Sequence, residues 1–152
     1  MPQISVDMEI SAAAAKVWAT VVDIERYPES MSSVRWVRLL SDDGPERRSK
    51  WSITLKGSIL EWEEREHLDH TNLVMSFNQL SGDMELFEGS WNVTPLADDR
   101  THVKLTIDFE IGIPLLAAML NPVAQRSLKQ NCTEMLEGIE RDALAAAVET
   151  SA

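Results

Sequence analysis

The sequence predicts an α+β fold in which a seven-stranded antiparallel sheet curves around one long C-terminal helix, with two short helices after the first strand. Three observations predict it. From Val34 to Ile111 the apolar residues recur with a period of two, interrupted by turn residues. After Asn121 they recur at helical spacing instead. Ahead of both lies a short alternating segment that runs into an alanine-rich stretch and then Tyr27-Pro28-Glu29.

Taken in order, Ile4, Val6, Met8 and Ile10 alternate with Ser5, Asp7 and Glu9, the pattern of a half-buried strand. Ser11 is the expected cap of a helix from Ala12 to about Val22, with Val17, Trp18, Val21 and Val22 inward. A second helical turn is expected over Ile24 to Met31. Six strands follow, at about 34–41, 46–55, 58–68, 73–81, 84–94 and 101–111. The turns between them are marked by Asp42-Asp43-Gly44-Pro45, Lys56-Gly57, Gly82-Asp83 and Ala97-Asp98-Asp99. Asn121-Pro122 reads as an N-cap followed by proline at the first helical position. The helix then runs toward Ala147 before fraying, with Leu128, Cys132, Met135, Ile139 and Ala143 as its inward stripe. Strand, two helices, six strands and a long helix make the helix-grip arrangement. A sheet bent around one helix does not close completely, so a cavity between the two is expected.

Composition narrows the function. The 152 residues fit a single domain over 1–152, and 44% hydrophobic with 26% charged residues is an ordinary globular balance. A net charge of −11 argues against nucleic acid or anionic lipid as partner, because phosphates are repelled. Cys132 is the sole cysteine, so there is no disulfide framework, and a reducing, cytoplasmic setting is the simplest one. The N-terminus has neither the basic start nor the apolar block of a leader. The richest apolar stretch, Ile111 to Leu120, is about half the ~18 residues that a membrane span needs. No phosphate loop, dinucleotide fingerprint or nucleophile motif is present, so no cofactor is expected. His67, His70 and Glu66 straddle a strand end and its loop without a fourth ligand, so no metal site is expected.

Turn positions fix a register and hence a face. With Lys56-Gly57 as a two-residue turn, Ile53 opposes Leu60, Trp51 opposes Trp62, Ser49 opposes Glu64 and Arg47 opposes Glu66. With Gly82-Asp83 as another, Asn78 opposes Phe87, Ser76 opposes Gly89 and Val74 opposes Trp91. The inner face then carries Trp51, Ile53, Leu60, Trp62, Phe87, Trp91, Val103, Leu105, Ile107 and Phe109. Of these, Trp51, Ile53, Leu60, Trp62, Phe87, Trp91, Leu105 and Ile107 are candidate ligand contacts, joined by Leu128, Asn131 and Met135 from the helix. Tryptophans offer flat surface for ring-shaped ligands, and plain core packing uses them equally well. Glu64, Glu66, Asn78 and Ser76 interrupt this apolar face. Two readings stand side by side. Either the carboxylates sit at a wet rim, where Arg47 is a rim ion partner, or they form a polar end to an apolar pocket. In the second case Glu64 or Glu66 is a general base or anchor, Asn78 orients a carbonyl, and all three are candidate catalytic residues.

Several segments resemble the START-like, or SRPBCC, superfamily. They are Trp18 with Asp23-Ile24-Glu25-Arg26-Tyr27-Pro28-Glu29, the run from Trp51 to Trp62, Gly82-Asp83-Met84 and Gly89-Ser90-Trp91. The resemblance is closest to the polyketide cyclase/dehydrase (aromatase/cyclase) and coenzyme-Q-binding-like branch and covers nearly the whole chain. It implies a helix-grip fold whose pocket holds a poly-β-keto chain during aldol closure and dehydration, as in bacterial secondary metabolism. Trp62 and Trp91 match pocket tryptophans, whereas Glu66, Asn78 and Val34 replace two arginines and a tyrosine of the family pattern.

Two functions are carried forward. The first is a cofactor-independent cyclase, aromatase or dehydratase for a polyketide intermediate, with delivery by an acyl carrier protein as one option. The second is a non-catalytic carrier or chaperone for a lipid, quinone or related hydrophobic metabolite. A partner protein with a vestigial pocket is a third option, and the chain is expected to be a monomer or homodimer.

Overall fold

The structure, a computed structural model, describes residues 3–55, 57–111 and 121–151, with the side chains of the last helix described over 126–145. Seven strands form one antiparallel sheet: β1 (Gln3–Ile10), β2 (Val34–Asp42), β3 (Glu46–Leu55), β4 (Ser58–Asp69), β5 (Val74–Gly82), β6 (Met84–Pro95) and β7 (Thr101–Ile111). Their order is β1-β7-β6-β5-β4-β3-β2, so the chain crosses once, from β1 to the far edge at β2. Helix α1 (Ala14–Val22), a 3-10 turn (Ile24–Arg26) and α2 (Tyr27–Ser30) make that crossing. Helix α3 (Asn121–Ser151) completes the helix-grip fold.

The crossing is tied down at both ends. The Thr101 hydroxyl donates to the Ala12 carbonyl at 2.7 Å, and Ala13 remains extended at φ −65°, ψ 147°. The helix therefore begins at Ala14, with Ala13 at the N-cap position and no side-chain cap, which corrects the expected start at Ser11–Ala12. Farther on, the Tyr27 hydroxyl donates to the Val21 carbonyl, and Tyr27 is buried with its ring edge on Trp51 and Trp91.

Helix α3 buries Leu128, Cys132, Leu136, Ile139 and Ala143; of the expected stripe Met135 is only half-buried, and Leu136 beside it is the residue packed into the core. Its C-terminal half is held against α2. Gly138 leaves no room for a Cβ, which would lie 2.8 Å from Met31 Cγ, and the Ser30 hydroxyl donates to Asp142 at 2.8 Å. The expected cap at Asn121-Pro122 adjoins residues 112–120, and these, like Lys56, lie outside the described residues; the helix itself continues past Ala147 to Ser151.

Strand registers decide which side chains reach the interior. The β3–β4 pairs are those expected: Ile53 with Leu60, Trp51 with Trp62, Ser49 with Glu64, Arg47 with Glu66. The β5–β6 register differs by one residue. Met75 opposes Trp91 and Phe77 opposes Gly89, while Asn78 opposes Glu88 and Ser76 opposes Ser90. The cause lies in β4–β5, where Glu63 pairs with Ser81 but Glu64 pairs with Gln79, leaving Leu80 as an extra bulged residue. A one-residue slip moves a strand's side chains to the opposite face. Met75 and Phe77 are therefore buried, and Asn78 is exposed on the outer surface.

Candidate functional site

The sheet and α3 enclose a cavity whose wall is mostly hydrocarbon and aromatic. Trp51, Ile53, Trp62, Phe87, Trp91, Leu105 and Ile107 line it from the sheet, and Leu128, Asn131 and Met135 from α3. All of these were expected from sequence. Leu60 was also expected, but it is packed into the core at 1% exposure and takes no part in the wall. Ser33, Met75, Phe77 and Cys132 join the lining. Met75 and Phe77 escaped because of the β5 bulge, and Ser33 because it sits in the connection before β2, outside any periodic pattern. Trp51 and Trp62 stack with centroids 5.8 Å apart and planes 6° from parallel, and Phe87 tilts against Trp62 at 4.9 Å. The Cys132 thiol is pushed up to about 12 by burial, so it is a small apolar wall element rather than a nucleophile.

The cavity is narrow, about 40 Å3. That is room for water-sized occupants, whereas ligand pockets run to roughly 300 Å3 and more. A ring-sized guest therefore requires the wall to give, and the unbranched thioethers of Met75 and Met135 are its most adaptable parts.

One end of the wall is polar. Glu64 lines the cavity at 3% exposure, and its Oε1 accepts the Trp62 indole N–H at 2.7 Å. Behind it, Glu66 is fully buried. Arg47 Nε donates to Glu66 Oε1 at 3.1 Å, and the Ser49 hydroxyl donates to Oε2 at 2.8 Å, itself accepting the Trp51 indole N–H at 2.8 Å. Arg47 also donates to the Val22 carbonyl at 2.8 Å and points toward the Met75 sulfur at 3.3 Å. Both carboxyl groups and the arginine are thus interior, and the wet-rim reading is excluded by the geometry: Glu66 and Arg47 are 0% and 7% exposed at their side chains. The strand alternation that carries Trp51 and Trp62 inward carries Ser49 and Glu64 inward one step along, and Arg47 and Glu66 one step further.

This cluster sets the protonation of Glu64. Burial raises its pKa well above the usual carboxylate range, and a hydrogen bond to Glu66 and the charge of Glu66 raise it further. The Trp62 N–H and Arg47 pull the other way without reversing the shift. Glu64 therefore holds its proton more tightly than an ordinary carboxylate, and of the two carboxyl groups it is the one that reaches the cavity. Asn78, expected beside it, lies on the outer face of β5, as the bulge dictates, and cannot orient a ligand in this cavity.

The histidines and Glu66 are not gathered into a site. His67 pairs with Glu46 at 2.6 Å on the surface, while His70 Nδ1 accepts the Trp18 indole N–H at 3.0 Å. No described helix is long and apolar enough to cross a membrane.

Comparison with known proteins bears on this geometry. The granaticin polyketide synthase bifunctional cyclase/dehydratase of Streptomyces violaceoruber is 29% identical over 143 residues, 93% of this chain. The chain spans 42% of that relative's length. The ribosome association toxin RatA of Escherichia coli is 23% identical over 76% of this chain and 73% of its own. Among solved structures, a protein of Thermus thermophilus is 28% identical with a TM-score of 0.89, over 95% of this chain and 99% of that one. The Zhui aromatase/cyclase of a Streptomyces species shares the fold at a TM-score of 0.84 and 21% identity, over 93% of each chain. The model of the polyketide cyclase / dehydrase and lipid transport family matches residues 10–136, and the chain belongs to that family.

Proposed function

We propose that the cavity binds an amphiphilic, polyketide-type intermediate and that Glu64 moves protons during its cyclisation or dehydration. The observation that carries this reading is a buried carboxyl group, its pKa raised by that burial, on the wall of an otherwise apolar cavity. A core has no need of such a group, whereas acid–base chemistry near neutral pH does. In a dehydration, Glu64 gives its proton to the leaving hydroxyl, the C–O bond breaks and water departs. The resulting carboxylate takes the proton from the adjacent carbon, the C–H electron pair forms the new double bond, and Glu64 is neutral again. In a ring closure the same acid protonates the carbonyl oxygen that becomes an alcohol as the enol carbon attacks and the C–C bond forms, and the resulting carboxylate takes up the proton that the enol oxygen releases as it becomes a ketone. Glu66, Ser49 and Arg47 act through Glu64 by holding its proton and position. The stacked tryptophans restrict the chain to few folded forms, which favours one ring pattern.

The reading is tested by supplying a linear poly-β-keto chain from a minimal polyketide synthase and comparing products with wild type, Glu64→Gln and no protein. The expected result is a ring pattern specific to the wild type and lost in Glu64→Gln. Identical products in all three reactions remove catalysis. That outcome leaves the carrier reading for a lipid, quinone or related metabolite, which the apolar wall and the lipid-transport part of the family description support.

A further inference from the structure

The cavity has a second polar end that the chemistry above does not use. Ser33 is 7% exposed and lines the wall, and its hydroxyl has no hydrogen-bond partner among the described residues. Its oxygen is not among the sealed, unpartnered side-chain atoms of the described residues, so on a wall it lines it is a hydrogen-bonding group open to an occupant. Asn131 lines the same wall from α3. Its amide N–H donates to the Thr54 carbonyl at 2.9 Å, and its Oδ1 has no partner among the described residues. The Thr54 N–H in turn donates to the Ser33 carbonyl at 2.8 Å, so both side chains are anchored at the same level of β3. Glu64 is anchored at the level of Ser49. From Ser49 to Thr54 the strand advances about 17 Å, and the stacked Trp51 and Trp62 lie between.

We infer that the cavity is built for an elongated, flat ring compound with an oxygen function at each end, and that Ser33 is a specificity-determining residue. One oxygen meets the Glu64 carboxyl. At the other end a hydroxyl accepts from Ser33 Oγ and donates to Asn131 Oδ1. With a hydrogen bond of about 2.8 Å at each end, the two ligand oxygens lie on the order of 11 Å apart. This rests on the reading of the cavity as a ligand site, and it adds which ligands that site prefers.

The test uses quenching of tryptophan fluorescence by anthraflavic acid, a three-ring quinone with one hydroxyl on each terminal ring, and by its analogue with a single hydroxyl. Both are titrated at a pH where the phenols are neutral. Wild type is expected to bind the two-hydroxyl compound about tenfold more tightly, and Ser33→Ala to bind the two alike. Ser33→Cys, which keeps the size but not the hydrogen-bonding strength, is expected to behave as Ser33→Ala. A preference that survives in both variants, or that wild type never shows while binding both compounds, overturns this inference and leaves the ligand site standing. Absence of binding by wild type overturns the inference together with the reading of the cavity as a ligand site.

Discussion

The β3–β4 hairpin and the β5–β6 hairpin supply the same cavity wall but are built on different rules. In β3–β4 the pairing runs without a break from the turn to the far end, so Leu55, Ile53, Trp51, Ser49 and Arg47 step inward in strict alternation. In β5–β6 the two strands pair only from Val74–Asn92 to Asn78–Glu88, and beyond that each strand follows its other neighbour. Gly82 stays with Trp62 on β4, Asp83 exchanges two hydrogen bonds with Glu61, and Leu80 is extruded. The regular hairpin brings polar residues into the interior in a predictable order. The irregular one keeps them out, and its bulge places Met75 and Phe77 where Ser76 and Asn78 would otherwise sit.

The regular hairpin owes its buried charge to a pairing made across it, so breaking that pairing is the severest test of the comparison. Arg47→Met keeps the volume and removes the guanidinium, leaving Glu66 buried without its ion partner. Loss of one partner of such a pair is expected to destabilise the fold by about 3–5 kcal/mol, read from urea unfolding. A loss under about 1 kcal/mol would mean that water reaches Glu66 once the guanidinium is gone.

Next in size is a pair of glycine substitutions, one in each hairpin. Gly82 has φ +153°, and a Cβ there would lie 2.4 Å from Trp62 Cβ and 2.6 Å from Trp62 Cα. Gly57 has φ +83° with nothing within 4 Å of its Cβ. Gly82→Ala must move backbone and is expected to cost about 3 kcal/mol or more. Gly57→Ala meets only the left-handed backbone penalty of about 1–2 kcal/mol. Equal losses in thermal unfolding would show that the close approach of Gly82 to β4 does not hold the bulge in place.

How much of this was legible in the sequence follows from the same contrast. Glu64, Glu66 and Arg47 could be placed opposite Ser49 and its neighbours because a two-residue turn transmits register along a hairpin. Their depth was not legible, since alternation gives the face and not the distance from solvent, and Glu63 and Arg65 beside them are polar as well. Asn78 was misplaced because Gly82-Asp83 has the composition of a tight turn, while what decides its geometry is contact with Glu61 and Trp62 on another strand. Ser33 lay beyond reach for a different reason: its position depends on α2 and β3, and no periodicity runs through it. The helix stripe was legible because 3.6-residue spacing depends on α3 alone.

A smaller and pH-dependent effect is expected at Glu64. Its pKa is raised in the folded state, so the stability this contributes is fully present below the ordinary carboxylate range. It is lost as pH rises through the raised value, when a buried carboxylate has to form beside Glu66. Glu64→Gln has no proton to lose and can still accept the Trp62 N–H. The stability of Glu64→Gln relative to wild type should therefore rise with pH. Tyr27, also raised by burial, is common to both proteins and cancels in the difference. A difference that stays flat from acid to mildly alkaline pH would place Glu64 in contact with bulk water and remove the physical basis for its role as an acid.

The smallest expected effect is at Asn78, and it is the one that separates the two hairpins most directly. Were β5 to pair with β4 without its bulge, Asn78 would oppose Glu66 inside the cavity, and Asn78→Ala would strip a hydrogen-bonding group from the polar end. With Leu80 extruded, Asn78 opposes Arg65 and Glu88 on the outer face and is exposed. Asn78→Ala should then change stability by no more than about 0.5 kcal/mol. It should also leave ligand affinity and product pattern as they are. Phe77→Ala, one residue earlier, should do the opposite: it removes a ring packed at 5.6 Å from Phe87, at a cost of about 3–5 kcal/mol, and opens the cavity wall. A reversed order, with Asn78 sensitive and Phe77 tolerant, would require β5 to run in the unbulged register. Glu66 would then have a neutral amide facing it where the structure places Phe77.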